Sequence, residues 1–380
     1  MTPVPIYFDY QATTPLDPMA RKAMEPYWDT HFGNPHAIDH RYGIDAAQAI
    51  RHARAEVACF MNADDDTIVL TSGATESCNL ALRGVVAKVL PGGRDQIITV
   101  ATEHPAVFET VQQLAGPMIK INILPVGPTG QLDLDRLDDV LDDRTLLVSV
   151  MAANNEIGTL HPLSEIAARC HRVGALLHTD ATQAAGRIPI DVEAWDVDLL
   201  SISAHKMYGP KGVGALFVRE GVDLAPMITG GGQERNRRSG TLATPLVIGF
   251  GAACTVVRET LPTDRRHLDH LTARLLRALT DICPELELFG ELTHRLPGNL
   301  NIGFPGLPAL QVVHCLTDRI AIATGSACSS VRSAPSRVLS ALGVDSDRAA
   351  TALRISLGRF TTENEIDRAV GIFAEITASS

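Results

Sequence analysis

The stretch Ser201-Ile202-Ser203-Ala204-His205-Lys206-Met207-Tyr208-Gly209-Pro210 decides how this chain is read. It follows the apolar run Val197-Asp198-Leu199-Leu200, and glycine and proline then end the element. A lysine at the end of a buried strand is costly unless it is used, because leaving water disfavours the charged amine. An amine that loses its proton there can form a Schiff base with a carbonyl. Ser203 and His205, a hydroxyl and an imidazole beside it, can hold a phosphate. The alternative is a surface lysine after a strand, where most lysines lie.

Working outward, short β-branched runs alternate with helix-like segments from about residue 66 to 220. Strands are expected at Thr67–Leu70, Ile97–Val100, Leu146–Met151, Ala175–Asp180 and Val213–Val218, with a helix from about Pro162 to Val173. This alternation predicts an α/β domain with a mostly parallel sheet flanked by helices. Polar clusters follow Leu70, Val100, Met151, His178 and Leu200. Ligands of open α/β sheets sit at the carboxyl ends of strands. Gly230-Gly231-Gly232 marks a loop or domain edge, and from about 262 onward the chain reads as a smaller α+β domain. The expected division is 15–258 for the large domain, with 1–14 and 259–380 forming the small one.

The chain has 380 residues and a formal net charge of −11, which argues against non-specific nucleic-acid binding. No apolar run is long enough to span a membrane, and the N-terminus shows no signal-peptide pattern. The 7 cysteines are scattered without a CxxC pair, so neither a zinc site nor a disulfide framework is supported. Reduced thiols in the cytoplasm fit best, most of them packed in the core, Cys59 among them.

Five supports for pyridoxal phosphate (PLP) have candidates here: a lysine, an acid on the pyridine nitrogen, a donor to the phenolic oxygen, a stacking group and a phosphate cup. Asp180 ends a strand and would keep the pyridine nitrogen protonated; a helix N-cap is its other reading. Gln183, three residues on, can donate to the phenolic oxygen. The backbone of Ala74 and the hydroxyl of Thr75 open a helix and suit a phosphate, with Ser203 and His205 completing the cup. His104, before Pro105, is either a turn residue or a ring-stacking proton shuttle. Asn155 follows another strand. Arg354 alternates with apolar residues and so points inward, toward a substrate carboxylate or an internal ion pair. Cys328, in Thr324-Gly325-Ser326-Ala327-Cys328-Ser329-Ser330, is set among small and hydroxyl residues and is the best nucleophile candidate among the cysteines.

In this order the motifs resemble the NifS/IscS-type cysteine desulfurases of PLP fold type I, over nearly the whole chain. Asp9-Tyr10-Gln11-Ala12-Thr13-Thr14-Pro15, Thr71–Glu76, Asn154-Asn155-Glu156-Ile157-Gly158, the Lys206 run, Arg238-Ser239-Gly240-Thr241, Gly325–Cys328 and Gly358-Arg359-Phe360 carry the resemblance. It implies a homodimer in which Thr241 reaches the phosphate of the neighbouring subunit. It also implies Lys206 as the Schiff-base lysine, Cys328 as persulfide carrier on an extended loop at about 322–335, and Asn155 and Arg354 as substrate ligands. The expected reaction turns L-cysteine into L-alanine, with a sulfur-acceptor protein downstream. The chain stops near Ser380, without the tail that housekeeping members use to dock an iron–sulfur scaffold, so iron–sulfur assembly, tRNA thiolation and DNA sulfur modification stay open. A selenocysteine lyase, a small-amino-acid aminotransferase and an inactive dimeric scaffold are the rival readings.

Overall fold

The computed structural model describes residues 4–89, 93–324 and 336–378. In chain order the strands and helices are β1 (Ile6–Tyr7), α1 (Pro18–Met24), α2 (Arg41–Met61), β2 (Ile68–Thr71), α3 (Ala74–Val89), β3 (Gln96–Val100), α4 (Pro105–Leu114), β4 (Lys120–Leu124), α5 (Leu134–Val140), β5 (Thr145–Ser149), α6 (Leu163–Arg172), β6 (Leu176–Asp180), α7 (Val192–Trp195), β7 (Leu199–Ser203), β8 (Gly214–Val218) and α8 (Thr244–Ile282). There follow β9 (Glu287–Leu288), β10 (Asn299–Gly303), α9 (Ala309–Leu316), β11 (Ile320–Ala321), β12 (Ala323–Thr324), α10 (Arg337–Ala341), α11 (Ser346–Ala349), β13 (Ala352–Ser356) and α12 (Glu363–Ala378).

Seven strands form one sheet in the order β2-β8-β7-β6-β5-β3-β4. Only β8 runs antiparallel to its neighbours. The expected mixed, mostly parallel sheet is therefore present, and each expected strand lies within one or two residues of its place. Strands β3, β5 and β7 are buried along their whole length, as a sheet covered by helices on both faces requires. The period of two sorts their side chains. Leu200 and Ile202 pack on one face with Ile50 and Val57 of α2 and Phe250 of α8. Leu199 packs on the other with Cys78 and Leu82 of α3 and Val107 of α4.

A four-stranded antiparallel sheet, β12-β13-β10-β9, and the parallel pair β1–β11 form the second layer. Their core joins Ile302, Ile355 and Phe8 to Leu268 and Leu275 of α8 and Phe373 of α12. The helix expected from Leu268 is the second half of α8, which runs for 39 residues through positions 258 and 259 and contains Pro262. The proline removes one N–H from the helical ladder, which is why the sequence reads as two segments. Ala323 and Thr324, expected in the catalytic loop, instead pair with Arg354 and Leu353.

Cys59 is a correction. It is exposed, because its neighbours on α2 (Val57, Ala58, Phe60 and Met61) take the buried positions and one residue on a helix must face away. Cys78, Cys170 and Cys254 are buried, as expected, whereas Cys315 is also exposed.

Candidate active site

The carboxyl ends of β2, β6 and β7, with the loops after β3 and β5, surround a cavity of about 510 Å³. Ala74, Thr75, His104, Asn155, Asp180, Gln183, Ser203, His205 and Lys206 all line it. They come from five separate stretches of sequence. Parallel strands with their carboxyl ends aligned bring such stretches to one edge.

Lys206 ends a single 3₁₀ turn, Ala204–Lys206, that leaves β7 directly. Its Nζ donates to the backbone oxygens of Gln11 at 2.6 Å and Ala12 at 2.9 Å. The segment after β1 thus holds the amine, a role that spacing did not reveal. Thr13 from the same segment meets His205 Nδ1 at 3.1 Å. Burial, then the charges of Lys206 and Lys211, push the His205 imidazole down to about 4. It is therefore neutral at pH 7 and available as a hydrogen-bonding group.

Helix α3 begins at Ala74, so its first amides have no helical acceptor and point at the cavity end. Gly73 before it has φ +147°, which a residue with a side chain rarely adopts. Gly214 of β8 passes it so closely that a Cβ there would lie 2.7 Å from Gly73 Cα. This crowding fixes a bare backbone cradle beside Ser203. Glu76 caps the turn by accepting from the Ser72 N–H at 2.8 Å and from Arg238 Nε at 2.8 Å. Burial raises the Glu76 pKa, but the hydrogen bonds from Arg238 and Ser72 outweigh it and hold the group below the ordinary carboxylate value.

Asp180 accepts from the Thr182 N–H at 2.9 Å through Oδ1, but no helix begins there, so the N-cap reading fails: the bond closes a turn, and the residue lines the cavity. Gln183 Nε2 donates to the Gln11 carbonyl at 3.2 Å. His104 is the N-cap of α4, with Nδ1 accepting from the Ala106 N–H at 3.1 Å. That bond puts the proton of the neutral ring on Nε2. Burial keeps the His104 pKa low, Asp180 opposes this, and Lys206 and Arg337 add to it. The buried Asn155 Oδ1 and Thr182 Oγ1 have no hydrogen-bond partner among the described residues. Buried polar groups are nearly always satisfied, so these atoms mark space for a polar occupant. Helix amides, hydroxyls, an amine and a carboxylate around a cavity of this size fit a phosphorylated pyridine.

Three expected residues stand apart. Arg354 is buried and is not among the cavity-lining residues, with its guanidinium on Asp9 Oδ1 at 2.8 Å and the Asn155 carbonyl at 3.0 Å. The internal ion pair is thus the reading the described contacts give it. Thr241 is exposed and outside the cavity. Cys328 lies outside the described residues.

The aminotransferase class-V family profile matches residues 6–369. The chain belongs to the class-V aminotransferase family. Within that family it stands among the cysteine desulfurases. Cysteine desulfurase IscS from Rickettsia bellii (strain OSU 85-389) is 46% identical over 369 residues, covering 97% of this chain and 90% of the relative. A solved NifS-like protein superposes with TM-score 0.93 at 35% identity, over 99% of this chain and 100% of the other. SspA in complex with cysteine superposes with TM-score 0.80 at 32% identity, over 94% and 100%.

Proposed function

We propose that the protein is a PLP-dependent cysteine desulfurase that converts L-cysteine to L-alanine and leaves the sulfur as a persulfide on Cys328. The observation that carries this is the convergence of Lys206, Asp180, His104 and the α3 N-terminus on one cavity, in a chain 46% identical to a named cysteine desulfurase. Ala74, Thr75, Ser203 and His205 would hold the phosphate, with Thr241 from a second copy of the chain. Asp180 would take the pyridine nitrogen, Gln183 the phenolic oxygen and His104 the ring face. When bound, the cofactor supplies an electron sink for negative charge at the substrate α-carbon.

The chain's own residues do the rest. Asn155 receives the substrate carboxylate, and Arg354, held on Asp9, joins it by exchanging that carboxylate for the substrate's. Lys206 removes the α-proton. Cys328, as thiolate, attacks the substrate sulfur: an S–S bond forms, the Cβ–S bond breaks, and its electron pair stays on carbon. That carbon is protonated to the methyl group of alanine, with His104 relaying protons through Nε2. The sulfur then passes to an acceptor protein.

A homodimer is supported by a set of exposed apolar residues near the chain start, including Trp28 at 62%, Phe32 at 65% and Ile38 at 67%, since large exposed patches mark interaction sites. No described helix is long and apolar enough to cross a membrane, which is compatible with a cytoplasmic enzyme. We also propose a division into a domain of 15–258 and one of 1–14 with 259–380, supported by the separate cores of the seven-stranded sheet and of the four-stranded sheet with β1–β11.

The test is persulfide formation from L-cysteine. Cys328→Ala should load no sulfur while still binding the cofactor, and Lys206→Ala should lose the visible absorbance of the lysine-bound cofactor. Sulfur loading by Cys328→Ala, or a keto acid in place of alanine, would overturn the reading.

A further inference from the structure

The first two residues of the α10 region are tied to both loops that shape the cavity. Ser336 is the N-cap of α10 and accepts from the Leu339 N–H at 3.1 Å. Its hydroxyl donates to Glu156 Oε2 at 2.5 Å. Glu156 is itself fixed from two sides. Asn154 Oδ1 receives its N–H at 2.8 Å, and the Asn299 and Asn301 amides donate to its carbonyl at 3.1 and 3.3 Å. It directly follows Asn155, which lines the cavity.

Arg337 makes the second tie. Its guanidinium donates to the carbonyls of Ala101 at 3.2 Å and Glu103 at 2.5 Å, and lies 3.6 Å from the centre of the Phe108 ring. Those carbonyls belong to the loop that presents His104. A side chain anchored by two carbonyls and an aromatic face loses little freedom on further ordering. One short stretch of chain, eight and nine positions after Cys328 in sequence, therefore grips the His104 loop and the Asn155 loop together.

We propose that Ser336, Glu156 and Arg337 form an anchor that joins the start of α10 to the His104 and Asn155 loops, and so act as positioning residues for sulfur transfer. This rests on the desulfurase reading above. The groups facing Glu156 are Ser336 and Arg337 from the α10 region and Arg354 from β13. Burial is the larger influence on its carboxyl, with the Ser336 hydrogen bond and the two arginines opposing, and the group ends at about 7. The tie to Ser336 is stronger once Glu156 is ionised, because hydrogen bonds to charged acceptors are the stronger ones.

The experiment compares wild type, Ser336→Ala, Ser336→Thr and Arg337→Met on the cofactor-loaded protein. Three quantities are read: cofactor absorbance, exchange of the substrate α-proton with deuterated water, and the rate of persulfide formation on Cys328. Expected is a fall of about tenfold in persulfide formation for Ser336→Ala and Arg337→Met, the scale of one lost charge-assisted hydrogen bond. Absorbance and α-proton exchange should be unchanged in Ser336→Ala, and Ser336→Thr should restore the rate. The Ser336→Ala deficit should widen between pH 6 and 8 and become flat when Glu156→Gln is added. An unchanged persulfide rate overturns the proposal, as does an equal fall in α-proton exchange or a failed threonine rescue. A wild type that neither binds the cofactor nor exchanges the α-proton would instead overturn the desulfurase reading.

Discussion

Single buried groups set how this protein responds to pH. His178 is completely buried, with Nδ1 at 2.8 Å from Ser149 Oγ and Nε2 at 3.0 Å from Ser201 Oγ. Burial pushes both His178 and His161 down to about 4. A folded-state pKa below the unfolded value means that stability is present above 6.5 and is lost as pH falls toward 4, by on the order of 3 kcal/mol for each imidazole. Glu156 runs the other way. Its carboxyl is raised to about 7, so its contribution is present below about 4.5 and fades as pH rises through 7. His205 also falls to about 4 and His104 is lowered, while burial raises Glu103 as well as Glu156; four histidines outweigh two glutamates, and net stability should rise from pH 4.5 to 6.5. Urea unfolding across that range checks this, and His178→Gln should shallow the slope; an unchanged slope would show that His178 does not set it.

At the scale of elements, the phosphate cradle depends on backbone approach. A Cβ at Gly214 would lie 2.5 Å from the Ile202 carbonyl oxygen and 2.7 Å from Gly73 Cα. Neither can give way without moving β7 or the start of α3. Gly214→Ala should cost about 1–3 kcal/mol, as overpacking does, and weaken cofactor binding, read by thermal melting and by absorbance titration. Gly221→Ala is the control, since its Cβ meets nothing within 4 Å and its positive φ of 87° alone is tested. What the sequence discloses follows from locality. Lys206, Ser203 and His205 leave one strand end, and Asp180 and Gln183 another, so their place at the cavity is legible from neighbouring residues. The carbonyls of Gln11 and Ala12 that receive the lysine are about 195 positions away, and no short-range pattern encodes a backbone acceptor. Arg354 was legible as inward-pointing, but its contact with Asp9 spans 345 positions and could only be seen folded.

The whole molecule is held together by charged groups where its layers meet. Arg359 bonds to Asp17 of the α1 cap at 3.0 Å and to Asp264 of α8 at 2.7 Å, and sits over the Tyr208 ring at 4.3 Å. Removing it strands two nearly buried carboxylates. Arg359→Ala should therefore destabilise by about 3–5 kcal/mol, measured by urea denaturation; a loss under 1 kcal/mol would show that solvent replaces the guanidinium. The apolar residues near the chain start make a second prediction at this scale. Under the proposed homodimer, Trp28→Asp with Phe32→Asp should give a monomer by light scattering and weaken cofactor affinity, because the proposed contact of Thr241 with a neighbouring subunit would be lost. One feature bears on how the enzyme is made. Strand β1 is synthesised well before its partners Ile320 and Ala321, and Tyr10 and Gln11 well before Ser356, which they bind. Domains fold in the order their contacts become available. The carbonyls that cradle Lys206 cannot settle until the chain has been made through Ser356. A nascent chain that has not reached β13 thus lacks the finished seat for its lysine amine, and completion of that strand serves as the licence for the site to form.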